Sequence, residues 1–205
     1  MKRLAIFLCL WILTVCAAYS PQLAYKTALS STVKVEGSSG FGSGVVINDH
    51  CIVTAGHVAD PRTPQVFITQ DGKEHPITKL YVAQFSDLAV ACTDGTFAAP
   101  PVHVRTTMPP QYSTVFTIGY PLGKNNILTT GNYQGDDEIT TPIAWGNSGG
   151  GVFDESGALI GIAIAVSLRT IEGHVFIINH LATMTTIRDI VAFLDESQIP
   201  FYKAQ

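Results

Sequence analysis

The stretch Gly146-Asn147-Ser148-Gly149-Gly150 decides the fold of this chain, because it places a serine in a turn built mostly of glycine. Glycine has no Cβ, so it can adopt positive φ and let a substrate carbonyl approach the backbone closely. The N–H groups of Gly146 and Ser148 are therefore predicted to form an oxyanion hole. A plain glycine-rich hairpin turn is the alternative interpretation of this segment taken by itself.

Two segments earlier in the chain supply what a serine nucleophile needs. They are Val53-Thr54-Ala55-Gly56-His57 and Ser86-Asp87-Leu88-Ala89-Val90. A serine hydroxyl is a weak nucleophile until an imidazole accepts its proton, and the imidazole needs an acidic partner that fixes its tautomer. Histidine, aspartate and serine in these segments can fill the three roles, so their occurrence together disfavours the plain turn.

Five segments together resemble the trypsin-like serine proteases with the chymotrypsin fold, and most closely the bacterial HtrA/Deg-type protease domain. They are residues 44–47, 54–57, 87–90, 119–123 and 146–150. The resemblance runs from about residue 33 to 194, and histidine, aspartate, serine is the chain order of that fold rather than of subtilisins or α/β-hydrolases. By this resemblance His57 is the general base, Asp87 is its orienting acid and Ser148 is the nucleophile.

The chain also departs from the pattern of these families. It lacks an Ile-Val-Gly-Gly activation sequence, and Asn147 stands where zymogen-activated relatives have aspartate, so activation by an N-terminal cut is not expected. Residues 196–205 alone follow the last predicted helix, which leaves no room for the PDZ domain that HtrA-type proteins usually carry. We therefore expect no PDZ-recruited partners.

The expected fold is all-β, with two six-stranded antiparallel β-barrels and a C-terminal helix. The chain contains 18 Gly and 11 Pro, which separate short apolar runs. Six of these runs lie within residues 32–92 and six within residues 114–178. A helix is predicted from apolar residues spaced by three and four, namely Leu181, Met184, Ile187, Val191 and Leu194. The predicted segments are a signal peptide 1–18, an N-terminal segment 19–31, a first barrel 32–97, an interlobe linker 98–111, a second barrel 112–180, a helix 181–195 and a tail 196–205.

The N-terminal residues predict export. Lys2 and Arg3 precede an apolar stretch over residues 4–15, which small residues follow at Ala17 and Ala18. The stretch is shorter than the ~20 residues that a membrane-spanning helix needs. We expect cleavage after Ala17 or Ala18 and a periplasmic or secreted protein, with tethering by an uncleaved anchor or by lipidation at Cys16 as alternatives.

The charges and cysteines of the chain limit which partners, disulfides and metal sites can be expected. The net charge is −4 and no basic cluster is present, so nucleic acid is not an expected partner. Cys51 and Cys92 can form one disulfide in an oxidising compartment, but two separate buried thiols are the preferred interpretation. No spacing of histidines or cysteines suggests a metal site, and no cofactor is expected.

The resemblance also locates the pocket for the side chain that precedes the scissile bond. It implies a lining from the segment before Ser148, the strand 161–166 and the residues near Gly173. Pro142 stands where trypsin has aspartate, so a preference for Lys or Arg is not supported. The predicted apolar wall consists of Ile162, Ala163, Ile164 and Ala165.

These observations predict an exported serine endopeptidase that acts on proteins or peptides through an acyl-enzyme and prefers small or aliphatic residues before the cut. Two other interpretations stay open. One is a catalytically silent binding module on the same fold, and the other is an esterase that uses the same machinery. The sequence does not indicate an oligomeric state.

Overall fold

The computed structural model describes residues 21–38 and 40–204, and within them the chain forms two α-helices, one short 3₁₀-helix (Pro121–Gly123) and fifteen strands. The predicted signal peptide 1–18 lies outside the described residues. The helices are α1 (Pro21–Ser31) and α2 (Ile187–Glu196). The strands in chain order are β1 (Thr32–Gly37), β2 (Gly40–Val46), β3 (Cys51–Thr54), β4 (Gln65–Ile68), β5 (Glu74–Pro76), β6 (Lys79–Val82), β7 (Ala89–Cys92), β8 (His103–Val104), β9 (Thr114–Gly119), β10 (Ile127–Gly135), β11 (Glu138–Ile139), β12 (Gly151–Asp154), β13 (Leu159–Ile171), β14 (His174–Thr186) and β15 (Tyr202–Lys203).

The first lobe is one seven-stranded sheet that curls on itself in the order β5-β4-β1-β2-β3-β7-β6. Its two edge strands, β5 and β6, are consecutive in the chain and are separated only by Ile77 and Thr78. The Ile77 N–H donates to the Gln65 carbonyl and the Thr78 N–H to the Cys92 carbonyl, so the connection bonds to both ends of the sheet. The predicted closed six-stranded barrel is thus a curled half-barrel, because a bend in the chain interrupts the strand that would close it.

The second lobe is a closed barrel of six strands. Its sheet runs β12-β9-β10-β11-β14-β13, and β13 pairs again with β12 to complete the ring. The short strands β8 and β15 extend this sheet through parallel pairing beside β13. The prediction of an all-β chain with a C-terminal helix is confirmed, and the second barrel has the predicted strand number.

The C-terminal helix begins later than predicted. Residues 181–186 belong to β14, where Met184 pairs with Ala163 and lies buried in the second barrel. The β-branched threonines of this segment favour a strand, and alternation places Ala182 and Met184 on the buried face. Helix α2 then buries Ile187, Ile190 and Leu194, whose spacings of three and four form one apolar stripe.

The predicted linker 98–111 is bonded to both lobes rather than free. The Val102 N–H donates to the Val46 carbonyl in the first lobe, and the Arg105 N–H donates to the Leu159 carbonyl in the second. The short strand β8 lies between these two bonds. The linker therefore fixes how the lobes meet.

Helix α1, which the sequence analysis did not predict, packs on the second lobe. Its Tyr25 ring meets the Phe116 ring edge to face with centroids 4.7 Å apart, and Ala24 lies against Gly157. The Ser31 hydroxyl donates to the Pro100 carbonyl of the linker at 2.5 Å. None of the described helices is long and apolar enough to span a bilayer.

The largest apolar cluster extends across both lobes. It includes Val45, Val53 and Leu88 from the first lobe and Phe116 and Ile162 from the second. Burial of this shared core holds the two sheets together. The ends of the strands on either side of it therefore meet in a fixed geometry, and the candidate site lies there.

Candidate active site

The first lobe brings His57 and Asp87 together because the strands that lead to them are paired. His57 follows β3, Asp87 precedes β7, and the antiparallel register places Thr54 opposite Ala89. His57 Nδ1 lies 2.7 Å from Asp87 Oδ2, and the His57 backbone N–H donates to Asp87 Oδ1 at 2.8 Å. The carboxylate thus contacts both the ring and the backbone of the histidine, which fixes the imidazole in one orientation.

The second lobe also contacts Asp87. The Thr185 hydroxyl of β14 donates to the Asp87 backbone carbonyl at 3.0 Å, across the boundary between the lobes. This bond ties the acid to the barrel that carries the serine. The position of the histidine and aspartate pair therefore depends on how the two lobes pack.

Each member of this pair shifts the pKa of the other. The hydrogen bond to Asp87 raises the pKa of His57 above 6.5, and partial burial opposes that rise without cancelling it. Burial raises the pKa of Asp87, but the hydrogen bonds from the ring and the backbone of His57 outweigh it and hold that pKa below its ordinary value. Asp87 is therefore ionised at neutral pH and favours the protonated imidazole.

Ser148 sits in a tight turn that backbone hydrogen bonds hold in place. Its carbonyl accepts from the Ser43 N–H at 2.8 Å, and the Gly149 N–H donates to the Ala163 carbonyl at 2.7 Å. Gly149 has φ +82°, and a Cβ there would overlap the Ser43 carbonyl oxygen. Only glycine tolerates both the positive φ and the lack of space for a Cβ, so this turn requires a glycine after the serine.

Gly146 shapes the backbone where the oxyanion hole is predicted. It has φ +99°, and a Cβ would overlap the Tyr120 carbonyl oxygen. Its own carbonyl accepts from the Ser43 hydroxyl at 2.7 Å. Within the described part of the chain, the N–H groups of Gly146 and Ser148 donate to no protein acceptor. Both predicted oxyanion donors are thus available to a ligand.

The Ser148 hydroxyl does not donate to His57. It donates instead to the Ile164 carbonyl of β13 at 2.9 Å, and a hydroxyl has only one proton. Of the three residues of the expected triad, His57 and Asp87 are therefore hydrogen-bonded to each other, whereas the Ser148 hydroxyl points toward β13 of the second barrel. His57 and Ser148 nevertheless line one cavity of about 190 Å³.

That shared cavity has aromatic walls. Gly40, Phe41, Val58, Trp145 and Gly146 complete its lining. The Trp145 side chain is 79% exposed, although its backbone carbonyl accepts from the Leu122 N–H at 2.7 Å. The sequence analysis missed Trp145 and Phe41, because neither lies in a motif and each reads equally well as a core residue.

A second cavity, of about 210 Å³, contains one residue of the predicted specificity pocket. Its lining is Thr141, Pro142, Ile143, Val166, Ile177, Ile178, His180 and Leu181. Pro142 is the predicted member. The sequence analysis did not identify His180, because no motif and no spacing to another residue could have placed it here.

The rest of the predicted pocket lies elsewhere. Ile162 and Ala163 point to opposite faces of β13 and both are fully buried, Ile162 in the core that both lobes share and Ala163 in the core of the second barrel. Ile164 contributes its carbonyl to the serine, and Ala165 is exposed. Gly173 forms the exposed turn of the β13–β14 hairpin with φ +81°. The prediction that Ile162 and Ala163 form an apolar pocket wall is therefore wrong, and Ile164, Ala165 and the predicted lining residue Gly173 line neither of the two cavities.

Cys51 and Cys92 form a disulfide, with Cα atoms 4.1 Å apart. They face each other directly in the register of β3 and β7. The preferred interpretation from the sequence, two separate thiols, is wrong, because strand pairing across 41 positions could not be seen in the chain. Within residues 21–38 and 40–204, no three His, Cys, Asp or Glu side chains are grouped to hold a metal ion.

The architecture is that of a serine protease, and comparison with known proteins identifies the family. The family described as the trypsin-like peptidase domain matches residues 42–162, which is more than half of the chain. The chain therefore belongs to the trypsin-like peptidase domain family, as the motifs predicted. No curated protein sequence matches it significantly.

Solved structures of serine proteases share the fold. The inactive form of the Rv3671c protease aligns with a TM-score of 0.70 and 18% identity, over 84% of this chain and 91% of that one. An inactive serine mutant of Rv3671c from M. tuberculosis H37Rv aligns at 0.71 and 19%, over 90% and 95%. The serine endoprotease from Yersinia pestis aligns at 0.71 and 21%, over 88% of this chain and 66% of that one.

Proposed function

We propose that this chain is a serine endopeptidase that cleaves peptide bonds through an acyl-enzyme on Ser148. The observation that carries the proposal is the 2.7 Å contact between His57 and Asp87 beside the cavity that His57 shares with Ser148. An oriented imidazole next to a serine in a glycine turn is the arrangement that acyl transfer requires. Resemblance of the whole fold to serine proteases supports it.

The proposed reaction begins when Ser148 Oγ attacks the scissile carbonyl carbon and its proton passes to His57 Nε2. The carbonyl oxygen becomes an oxyanion that accepts from the N–H groups of Gly146 and Ser148. The C–N bond then breaks, and His57 gives its proton to the leaving amine. Water then attacks the carbonyl carbon of the resulting ester while His57 Nε2 accepts its proton. His57 returns this proton to Ser148 Oγ as the C–O bond breaks, which releases the acid and restores the Ser148 hydroxyl.

The hydroxyl must leave the Ile164 carbonyl before it can attack. Exchanging one neutral hydrogen bond for another costs on the order of 1 kcal/mol or less, so turning the side chain toward His57 requires little free energy. The observed orientation also favours a second candidate function, a binding module on this fold that does not turn over substrate. Reactivity of the serine distinguishes the two.

Substrate preference follows from the cavity that includes Pro142. Six of its eight lining residues are apolar, and none of the eight carries a carboxylate. Burying an unpaired Lys or Arg side chain is unfavourable, whereas an aliphatic side chain gains about 25 cal/mol for each Å² removed from water. Small or aliphatic residues are therefore preferred before the cut, with Lys and Arg disfavoured by about tenfold, which needs only ~1.4 kcal/mol.

Export is the proposed localisation. The basic and apolar pattern of residues 2–18 supports it. The disulfide between Cys51 and Cys92 gives independent support, because disulfides persist in oxidising compartments. A periplasmic or secreted protein meets that condition.

The test combines a covalent probe with a digest. A fluorophosphonate should label the wild-type protein and fail to label Ser148→Ala, and an unlabelled wild-type protein would favour the silent module.

A peptide-library digest read by mass spectrometry should show cuts after Val, Ala or Leu. Most cuts after Lys or Arg would overturn the preference, and turnover of esters without peptides would indicate an esterase.

A further inference from the structure

The β13–β14 hairpin continues past the strand pairs of the second barrel as a two-stranded ribbon, residues 166–177. Strand β13 pairs with β12 only as far as Ile162, and β14 pairs with β11 only at Ala182 and Thr183. A two-stranded hairpin is at best marginally stable in water, and a further strand would stabilise this one. Its exposed apolar side chains, 36% to 64% accessible, are Val166, Leu168, Ile171, Val175, Phe176 and Ile177.

The backbone of β14 has an open edge along this ribbon. Residues 172–173 at the tip both have positive φ, as in a type I′ turn, which makes the flanking pair Ile171–His174 a hydrogen-bonded one. Hydrogen-bonded and non-hydrogen-bonded pairs alternate along an antiparallel ladder, so the N–H and C=O groups of Val175 and Ile177 point away from β13. Among the described residues, no strand pairs with that side of β14 before Ala182. We call this side the outer edge of β14.

The outer edge of β14 lacks the features that usually prevent strand pairing. Natural edge strands are protected by charged side chains, by Pro or by bulges. The edge strands of the first lobe follow this rule, because β5 contains Glu74 and Pro76 and β6 begins with Lys79. Residues 174–178 contain no Lys, Arg, Asp, Glu or Pro. The edge is therefore suited to receive another strand.

We propose that two copies of this chain pair through the outer edges of their β14 strands and form a dimer with two-fold symmetry. Antiparallel pairing about Phe176 sets Val175 of each copy opposite Ile177 of the other, and these residues then exchange both backbone hydrogen bonds. Phe176 faces Phe176 of the other copy in a non-hydrogen-bonded pair, where side chains lie closest. The two ribbons become one four-stranded sheet.

The charges along the ribbon favour a second copy as the occupant. The same surface must be complementary to itself in a two-fold dimer, and like charges directly opposite each other would oppose pairing. The paired residues are uncharged. The antiparallel direction carries the exposed Glu172 of each copy toward the segment of the other copy that contains the exposed His180, so a carboxylate approaches an imidazole. The interface is small, and we expect a Kd in the micromolar range.

A cysteine cross-link tests the register. Protein that starts after Ala18 has only Cys51 and Cys92, which are already bonded to each other. Facing Cβ atoms in a cross-strand pair lie ~5 Å apart, within reach of a disulfide after small adjustment, so Phe176→Cys protein should form a covalent dimer under mild oxidation.

The matched control for the cross-link is Ile171→Cys. Ile171 lies on the same face of the ribbon as Phe176 and is similarly exposed. It belongs to β13, however, so three strand spacings, about 14 Å or more, separate it from its equivalent in the other copy. This variant should stay monomeric on a non-reducing gel. Equal cross-linking of both variants, or none in either, would overturn the proposal.

Sedimentation measures the association without a cross-link. Wild-type protein should change from monomer to dimer as its concentration rises, and Phe176→Lys should raise the Kd at least ~tenfold because two ammonium groups then face each other. Ile171→Lys adds the same charge away from the axis and should keep the wild-type Kd. A wild-type protein that is monomeric at about 100 μM, or equal changes in both variants, would overturn the proposal. Circular dichroism checks that the variants fold.

Neither measurement uses catalysis, so failure of this inference is distinguishable from failure of the proposed function. A monomer that labels with fluorophosphonate and cleaves peptides would overturn the dimer alone. A dimer that neither labels nor cleaves would overturn the proposed function alone.

Discussion

The hydroxyl of Ser148 has one proton to donate, and in this structure the Ile164 carbonyl accepts it. The His57 ring is already oriented by Asp87, and the proposed attack requires the Ser148 side chain to turn away from the Ile164 carbonyl. The turn around the serine needs no such change. Its glycines and its bonds to Ser43 and Ala163 already hold the backbone.

Replacing either partner in proton transfer should remove most turnover. We expect Ser148→Ala and His57→Ala each to lower kcat by at least ~10³-fold while the fold stays intact, because each disables the same step. The double variant should be no worse than the single ones. Peptide hydrolysis by the purified variants measures this, with Ser113→Ala as a control at a partly buried serine outside the site. Near-normal hydrolysis by folded Ser148→Ala protein would contradict the assignment.

The pH dependence follows from the His57 pKa. The base must be neutral to accept a proton, and Asp87 raises the pKa of His57 above 6.5. We therefore expect kcat/KM to fall as pH decreases through a midpoint above 6.5. Asp87→Asn removes the charge that stabilises the imidazolium, so its midpoint should move to lower pH while the plateau rate falls. An optimum near pH 4 would exclude His57 as the base.

At the residue scale, the sequence supports a prediction where a residue lies in a local motif. His57, Asp87 and Ser148 each stand in a short segment whose chemistry is readable in the chain, and the structure brings the first two into contact. His180 and Trp145 line cavities through long-range packing, which a single sequence does not encode locally. Whether Ile162 faces a pocket or the core depends on strand register, and the sequence analysis placed it wrongly.

Strands β3 and β7 illustrate the element scale, because one disulfide joins the two strands that lead to His57 and Asp87. Cys51 and Cys92 lie at the ends remote from these residues, with three further register pairs between them and the site. The hydrogen-bonded ladder over these pairs positions the histidine and aspartate. The disulfide mainly restricts the unfolded chain.

Removing the disulfide should therefore lower stability more than activity. A loop closed across 41 positions corresponds to about 4 kcal/mol in the chain-entropy model, and measured losses are often smaller. We expect Cys51→Ala, Cys92→Ala to lower the free energy of unfolding by ~2–4 kcal/mol in urea titrations. Wild-type protein kept reduced during the titration should give the same midpoint. An unchanged midpoint in the double variant would show that the bond does not stabilise the fold.

The boundary of α2 shows why helix prediction failed over residues 181–186. Leu181, Met184 and Ile187 have helical spacing, but Ala182 and Met184 also alternate as a strand requires. A short apolar pattern fits both periods. Pairing of Met184 to Thr186 with residues 161–163 of β13 decides between them, and those partners lie 21 to 25 positions earlier in the chain.

At the scale of the whole molecule, α1 and the linker hold the two lobes in one arrangement. Helix α1 runs directly into β1 of the first lobe while its Tyr25 packs on Phe116 of the second. The linker bonds to Val46 on one side and Leu159 on the other. Since Asp87 and Thr185 meet across the same boundary, the stability of this arrangement determines the geometry of the site.

Helix α1 offers a test with a matched control on one helix. Tyr25→Ala removes the edge-to-face contact and the apolar area buried against Phe116, so we expect the free energy of unfolding to fall by ~1–3 kcal/mol. Leu23, which is 65% exposed on the same helix, should tolerate the same substitution within ~0.5 kcal/mol. Thermal unfolding measures both, and equal effects would mean that α1 does not stabilise the lobes through Tyr25.

The overall architecture was predictable because strand-like runs, turns and motif order are local properties of the chain. The open edges of the first sheet were not predictable, since they depend on which strands pair over long distances in the chain. Residues 19–31 gave no clear helical signal. Their buried face consists of alanines such as Ala24 and Ala28, which add little hydrophobic contrast to a helical pattern.

The fluorescence of the exposed Trp145 indole can report on ligand binding in the cleft. The chain has two tryptophans, Trp11 and Trp145, and protein that starts after Ala18 retains only the second. Tryptophan emission shifts to shorter wavelength when the ring leaves water, and Trp145 is 79% exposed at the cavity shared by His57 and Ser148. Peptide binding to Ser148→Ala protein should therefore produce a blue shift that follows occupancy directly. Trp145→Phe protein should give no such signal, and a constant wavelength at saturating peptide would show that ligands leave this wall uncovered.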